Sequence, residues 1–394
     1  MKHRERVETA LAHETPDRCP MQISFTPEFS DRLKRDIFGK TGKAHNPHGG
    51  GNACELECYL DQDVLLTSVG WANNYYQTFE HGATYVDKWG IGWKAIQYQT
   101  QFGPGIYTEF ASHPLAENKA IDSYIPPSPD SPHLYRDAQA LIEKHKDEYW
   151  ITGATVTTIW ETAWALRGME QMMMDLIDNP ELAHRILDIP HNYHLAAAKK
   201  LVDMGVDMIW LGDDVGTQNG MMMSPDMWRS VLKPRMAEFI RVLKAINPEL
   251  KVAYHSCGDI AAIIGDLVEI GLDVLNPIQP ACLHLEHLAE AYGDKLCFWG
   301  SVDEQQTLPF GSPEDVRREV ASRIKVLGKN GGLILGPTHH VQLDTPLENF
   351  WAMVETITGI SQTDSKKRQP KDSIKEYKID TKTRRGTWKP EVSK

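Results

Sequence analysis

From about residue 19 to residue 360 the chain alternates short apolar runs with longer amphipathic stretches. The runs fall at 19–25, 63–69, 150–158, 208–215, 252–257, 274–280, 296–302 and 333–337. They are β-branched or continuously apolar, the pattern of parallel strands covered by helices. Segments such as 180–204, 224–246, 260–270 and 313–327 carry helical periodicity between them. Ser224-Pro225-Asp226 and Ser312-Pro313-Glu314-Asp315 place a capping serine, a proline and acids at two helix starts. Eight such alternations predict an α/β protein built as a (β/α)8 TIM barrel. A doubly wound sheet is the alternative, but no Gly-x-Gly-x-x-Gly fingerprint follows the first run.

Two parts depart from a plain barrel. Residues 70–126 are rich in aromatics and glycine, and the alternation over 84–98 predicts β-hairpins inserted after the second run. Active sites of this fold lie at the strand C-termini, so the insertion is expected over the barrel mouth. Residues 362–394 hold eleven Lys/Arg and five Asp/Glu with almost no apolar periodicity. The expected organisation is a barrel over 1–361 followed by a flexible basic tail.

Composition narrows the function. Hydrophobic residues make up 41% and charged residues 24%, as in a globular enzyme. No apolar stretch approaches the roughly 18 residues of a membrane span, and the charged N-terminus lacks a secretory h-region. A cytoplasmic protein is therefore expected, with no membrane contact. The net charge of −12 argues against a nucleic-acid partner. Six cysteines in a chain this long do not make a disulfide framework. Cys54 and Cys58, four apart, are read as packing residues for want of a further donor at matching spacing.

Candidate chemistry gathers at the strand ends. One run ends Val-Ala-Tyr-His-Ser-Cys-Gly-Asp (252–259) and another Gly-Leu-Ile-Leu-Gly-Pro-Thr-His-His (332–340). Side chains alternate along a strand, so His255 and Cys257 share a face and Ser256 looks away. With a third donor from another strand end they make a three-ligand site with one position open, as catalytic zinc requires. His339 is taken as that donor and Glu161 as a fourth ligand displaced by substrate. His340 then has a catalytic or binding role, although the sequence alone leaves the order of the two histidines open. Asp213 and Asp214 are candidates for a general base, an anchor for a ligand histidine, or a helix cap. Asn276 and Gln279 are candidate substrate contacts, and Asp303 and Asp344 complete the polar strand ends. Of the methionine runs, Met172–Met174 is read as helix core, and Met221 and Met222 as apolar contacts for a bulky macrocycle.

At these residues the chain resembles the uroporphyrinogen decarboxylase superfamily, and within it the cobalamin-dependent methyltransferase branch. The resemblance runs from Arg4-Glu-Arg-Val-Glu-Thr-Ala-Leu through Pro16-Asp17-Arg18-Cys19-Pro20 to Asp344-Thr345-Pro346-Leu347-Glu348-Asn349. It implies the same barrel. That branch carries His-x-Cys on a strand, matched by His255-Ser256-Cys257, and a distant cysteine where this chain has His339. One thiolate and two neutral imidazoles leave zinc with a net positive charge, a stronger Lewis acid toward an ether oxygen than the two-thiolate site. The function so implied is zinc-dependent transfer of a methyl group from a methoxylated, aromatic small molecule to a corrinoid carried by a partner protein. No Asp-x-His-x-x-Gly corrinoid motif lies in this chain. Trp71, Tyr75 and Trp89 are expected to stack on the substrate ring. A homodimer is compatible with this reading. The rival functions are a cofactor-independent decarboxylase, with Asp213 and His339 handling the proton, and a non-catalytic corrinoid- or tetrapyrrole-binding barrel.

Overall fold

A computed structural model describes residues 1–41 and 45–362; the expected basic tail lies, from 363 on, outside the described residues. The strands in chain order are β1 (Val64–Ser68), β2 (Thr84–Val86), β3 (Gly92–Thr100), β4 (Gly103–Ser112), β5 (Trp150–Ala154), β6 (Met208–Gly212), β7 (Gly216–Thr217), β8 (Gly220–Met221), β9 (Lys251–His255), β10 (Val274–Asn276), β11 (Cys297–Val302) and β12 (Leu333–Pro337). Seven of them form one curled parallel sheet in the order β1-β5-β6-β9-β10-β11-β12. Sheet order follows chain order, and helices fill the connections, as short crossover connections favour.

The first apolar run is not a regular strand, unlike the expectation of eight. It pairs with β12, and with Val341 beyond it, through isolated bridges, Met21 with Leu335 and Phe25 with Val341. Pro20 has no N–H to give a ladder. On the other side, side chains replace backbone partners. Met21 N–H donates to Asp63 Oδ2 at 2.8 Å and Ile23 N–H to Gln62 Oε1 at 2.8 Å. Gln62 returns its amide to Ile23 O at 3.0 Å. Asp63 is wholly buried and also receives Arg6 and Arg18, each at 2.6 Å. The arginines of the two N-terminal sequence motifs thus tie the chain start to the head of β1.

Alternation divides the core in two. Leu65, Ile151, Ile209, Val252, Leu275 and Phe298 face the helices. Val64, Leu66, Trp150, Met208, Trp210, Val274, Trp299 and Ile334 fill the concave side. Trp210 and Trp299 meet there with ring centroids 4.7 Å apart. Both faces of β1, β5, β6, β11 and β12 are buried, which accounts for their continuous apolarity.

The insertion is a three-stranded antiparallel sheet, β2-β3-β4. The buried side of β3 carries Trp93, which packs on Trp71, Tyr75, Tyr85 and Phe110. Among the described residues no helix is long and apolar enough to cross a membrane.

Candidate metal centre

Strand β9 delivers His255 on the concave side, beside Gly212 of β6. A Cβ at Gly212 would lie 2.5 Å from His255 Cβ, so only glycine leaves this histidine its place. Ser256 turns outward, its Oγ accepting Val215 N–H at 3.1 Å. Cys257 returns to the inner side with Sγ 3.5 Å from His255 Nε2. His339 follows β12, its ring 6.0 Å from that of His255. Donor atoms of His255, Cys257 and His339 all lie within 4.8 Å of one another.

Hydrogen bonds prepare these donors. Asn276 gives its amide N–H to Trp299 O at 3.1 Å, so its oxygen accepts from His255 Nδ1 at 2.7 Å. That assigns the ring proton to Nδ1 and leaves the Nε2 lone pair toward Cys257. Asp214 Oδ1 accepts Cys257 N–H at 2.8 Å and stands 3.5 Å from His255 Nε2. Burial, with the Asp214 charge, pushes the Cys257 thiol well above its ordinary value. Burial lowers His339 to about 4, with His255 contributing, so its imidazole is neutral. Two imidazole donors and a thiol that only a cation would ionise fit zinc, which binds N and S donors and deprotonates a coordinated thiol.

The remaining residues divide sharply. Asp214, Glu161, Asn276, Tyr75 and His340 line a cavity of about 250 Å³ next to the three donors. Glu161 accepts Asp214 N–H at 3.2 Å, and burial together with Asp214 raises its carboxyl well above the usual range. It stands outside the compact donor group. The His340 ring packs 4.4 Å from that of His339 and edge-on to His48 at 5.0 Å. Asp213 does not line the cavity. It is buried, accepts the N–H groups of Ile159 and Glu161 at 2.9–3.0 Å, and so serves the start of the helix Trp160–Arg167. Burial pushes its carboxyl up to about 7.

Other expected contacts are directed elsewhere. Gln279 accepts Gly258 N–H at 3.0 Å and donates to Gln218 and Gln305, bracing the turn after Cys257. Trp71 and Trp89 are buried and cannot stack on a substrate. Trp71 packs on Trp93 and Phe110, Trp89 on Tyr193 and His194. Met221 and Met222 lie outside the cavity wall, in and beside the β7–β8 hairpin.

The cavity also uses residues that strand-end reasoning passed over: Gln22, Ser24, His48, Tyr76, Trp210 and Thr338. Period-two alternation in Met21-Gln22-Ile23-Ser24-Phe25 marks the first two, and His48 stands in a glycine-rich turn, Asn46-Pro47-His48-Gly49-Gly50-Gly51-Asn52.

Over residues 92–360 the sequence matches the uroporphyrinogen decarboxylase (URO-D) family. The chain is 26% identical to a methylcobamide:CoM methyltransferase, MtaA, of Methanosarcina barkeri, over 48% of its own length and 52% of that protein. It is 24% identical to a methylated-thiol–coenzyme M methyltransferase of Methanosarcina mazei, over half of each chain. The chain thus spans about half the length of these curated relatives. To a uroporphyrinogen decarboxylase of Psychromonas ingrahamii it is 23% identical, over 63% of this chain and 70% of that one. Among solved structures, a methyltransferase from Methanosarcina mazei superposes with a TM-score of 0.65 at 19% identity, covering 90% of this chain and 98% of that one. With the family matched across more than half its length, the chain belongs to the uroporphyrinogen decarboxylase family and resembles the methyltransferase branch of that superfamily.

Proposed function

We propose that the protein is a zinc-dependent methyltransferase that moves a methyl group from a methoxylated aromatic small molecule to a corrinoid carried by a partner protein. The observation that carries this reading is the set of His255, Cys257 and His339 donors within 4.8 Å, at one edge of a cavity. In this reading the segment 20–25 completes the ring of strands as an eighth member, and the donors sit at the barrel mouth.

His255, Cys257 and His339 would hold zinc, which when bound supplies Lewis acidity toward an ether oxygen. With a reduced corrinoid supplied by the partner as methyl acceptor, the O–CH3 bond would break with the methyl group leaving to that acceptor and the oxygen keeping the bonding electrons. Glu161, whose carboxyl burial and Asp214 push above its usual range, would supply the proton that this oxygen takes up. Asp214 holds the Cys257 backbone and, through its own N–H, the Glu161 carboxyl. Tyr75, Tyr76 and Trp210 give the substrate ring an aromatic wall. Among the described residues no arginine or lysine lines the cavity, which disfavours a polycarboxylate tetrapyrrole as the substrate.

Elemental analysis of the purified protein tests the reading first. About one zinc per chain is expected, lost in Cys257→Ser. Mixing the zinc-loaded protein with a methoxylated aromatic and a reduced corrinoid protein is then expected to change the cobalt absorbance. Activity in metal-free protein overturns the proposal.

A further inference from the structure

The cavity has two chemically different sides. One carries His255, His339, Glu161 and Asp214; the other is built by Gln22, Ser24, His48, Tyr75 and Tyr76. All five residues of the second side precede residue 92, where the family match begins.

The turn carrying His48 is firmly built. Asn52 Oδ1 accepts Asn46 N–H at 2.9 Å, and its amide returns to Asn46 O at 2.8 Å. Asn46 Oδ1 in turn accepts His48 N–H at 2.9 Å. Gly49, at φ +87°, presses on β1 so closely that a Cβ would lie 2.6 Å from Leu66 Cβ. The His48 ring is wedged edge-on to His340 and 5.8 Å from the Tyr75 ring. Its Nδ1 is buried with no partner among the described residues. Beside it Tyr76 holds a left-handed backbone at φ 58°, an uncommon conformation for a bulky residue that must be held by its surroundings.

We propose that this side of the cavity selects the substrate: His48 hydrogen-bonds a neutral hydroxyl on the aromatic ring, and rings bearing a carboxylate are excluded. A neutral imidazole presents one donor and one acceptor, exchanged by tautomer or ring flip. A hydroxyl answers either, whereas a carboxylate only accepts and an ammonium only donates. A carboxylate would also share the cavity with the carboxyl side chains of Glu161 and Asp214. The volume suits one substituted ring, since about 150 Å³ already takes benzene. The substrate class is thus a methoxyphenol, and this conclusion rests on the methyl-transfer reading.

Calorimetry on the zinc-loaded protein tests it with methoxyphenols (ortho, meta and para), anisole and the corresponding methoxybenzoates. The best methoxyphenol is expected to bind about tenfold tighter than anisole or any methoxybenzoate, the worth of one good hydrogen bond. His48→Ala is expected to weaken methoxyphenol binding more than anisole binding and so remove that advantage, and His48→Gln, with donor and acceptor retained, to restore part of it. Equal binding of anisole, tighter binding of a methoxybenzoate, no methoxyphenol binding, or equal losses for anisole and methoxyphenol in His48→Ala would overturn the proposal. Selective methoxyphenol binding without methyl transfer leaves it standing and removes the methyl-transfer reading. Methyl transfer from methoxybenzoates but not methoxyphenols does the reverse.

Discussion

Asn276 sets the tautomer of His255. Its amide nitrogen is committed to Trp299 O, so only its oxygen can face the imidazole, 2.7 Å from Nδ1. A ring proton on Nδ1 frees Nε2 as a metal donor. Groups that orient a ligand in this way are worth about 10–100-fold in metal affinity. Asn276→Ala is therefore expected to weaken zinc binding within that range, measured by competition with a chromophoric chelator. Asn276→Asp, which keeps an acceptor, should lose less. Unchanged affinity in the alanine variant would separate Asn276 from the metal.

Asp213 presents a different outcome. Its carboxylate takes backbone N–H groups of Ile159 and Glu161 at the start of the helix Trp160–Arg167, and it has no face on the cavity. A carboxylate in that place acts as a cap does, for about 0.5–2 kcal/mol. Asp213→Ala should lower stability to urea by that amount and leave zinc content intact. Loss of zinc without loss of stability would give Asp213 the more direct role.

The same comparison shows what a linear reading can reach. His255 and Cys257 are legible because period-two alternation at one strand end puts them on one face, and His339 because it follows another apolar run closely. Seven sheet strands follow from uninterrupted apolarity. The irregular character of residues 20–25 does not, since the side chains that replace its ladder, Gln62 and Asp63, are some forty residues away. Trp71 and Trp89 fail as substrate contacts for a related reason. Aromatic content does not distinguish a lid from the core of a small sheet, and only packing on Trp93 and Tyr193 decides it. The place of His48 depends on close backbone approach at Gly49, which leaves no periodic trace in the sequence.

Gly212 tests how tightly the centre is framed. An added Cβ would meet His255 Cβ at 2.5 Å and His255 O at 2.9 Å, both attached to a buried strand that cannot swing away. Overpacking of this kind costs about 1–3 kcal/mol. Gly212→Ala should therefore lower the denaturation midpoint and, by displacing His255, reduce zinc content in the same protein. A variant with wild-type stability and a full complement of zinc would show that the strand yields.

His194 links stability to pH away from the metal. Its Nδ1 bonds to Pro190 O at 3.0 Å, and its Nε2 accepts Trp71 N–H at 3.2 Å, pinning the first turn of the insertion to the long helix Pro180–Met204. Only the neutral ring serves both partners, because a proton on Nε2 would face the Trp71 N–H. Burial accordingly lowers its pKa to about 3, against about 6.5 in the unfolded chain. Below pH 6.5 the unfolded state takes up a proton that the folded state refuses. Its contribution is thus fully present above pH 6.5 and is lost as pH falls toward 3, at up to about 1.4 kcal/mol per pH unit. Other histidines, the buried His45 at about 3 and the half-buried His145 at about 4, titrate in the same direction, so the useful quantity is a difference between proteins. His194→Gln keeps an amide in place without a titrating ring. Denaturant unfolding at pH 7 and pH 5 should show a loss smaller by about 2 kcal/mol in the variant than in the wild type. Equal losses would mean that His194 accepts its proton in the folded state and that the Trp71 contact gives way first.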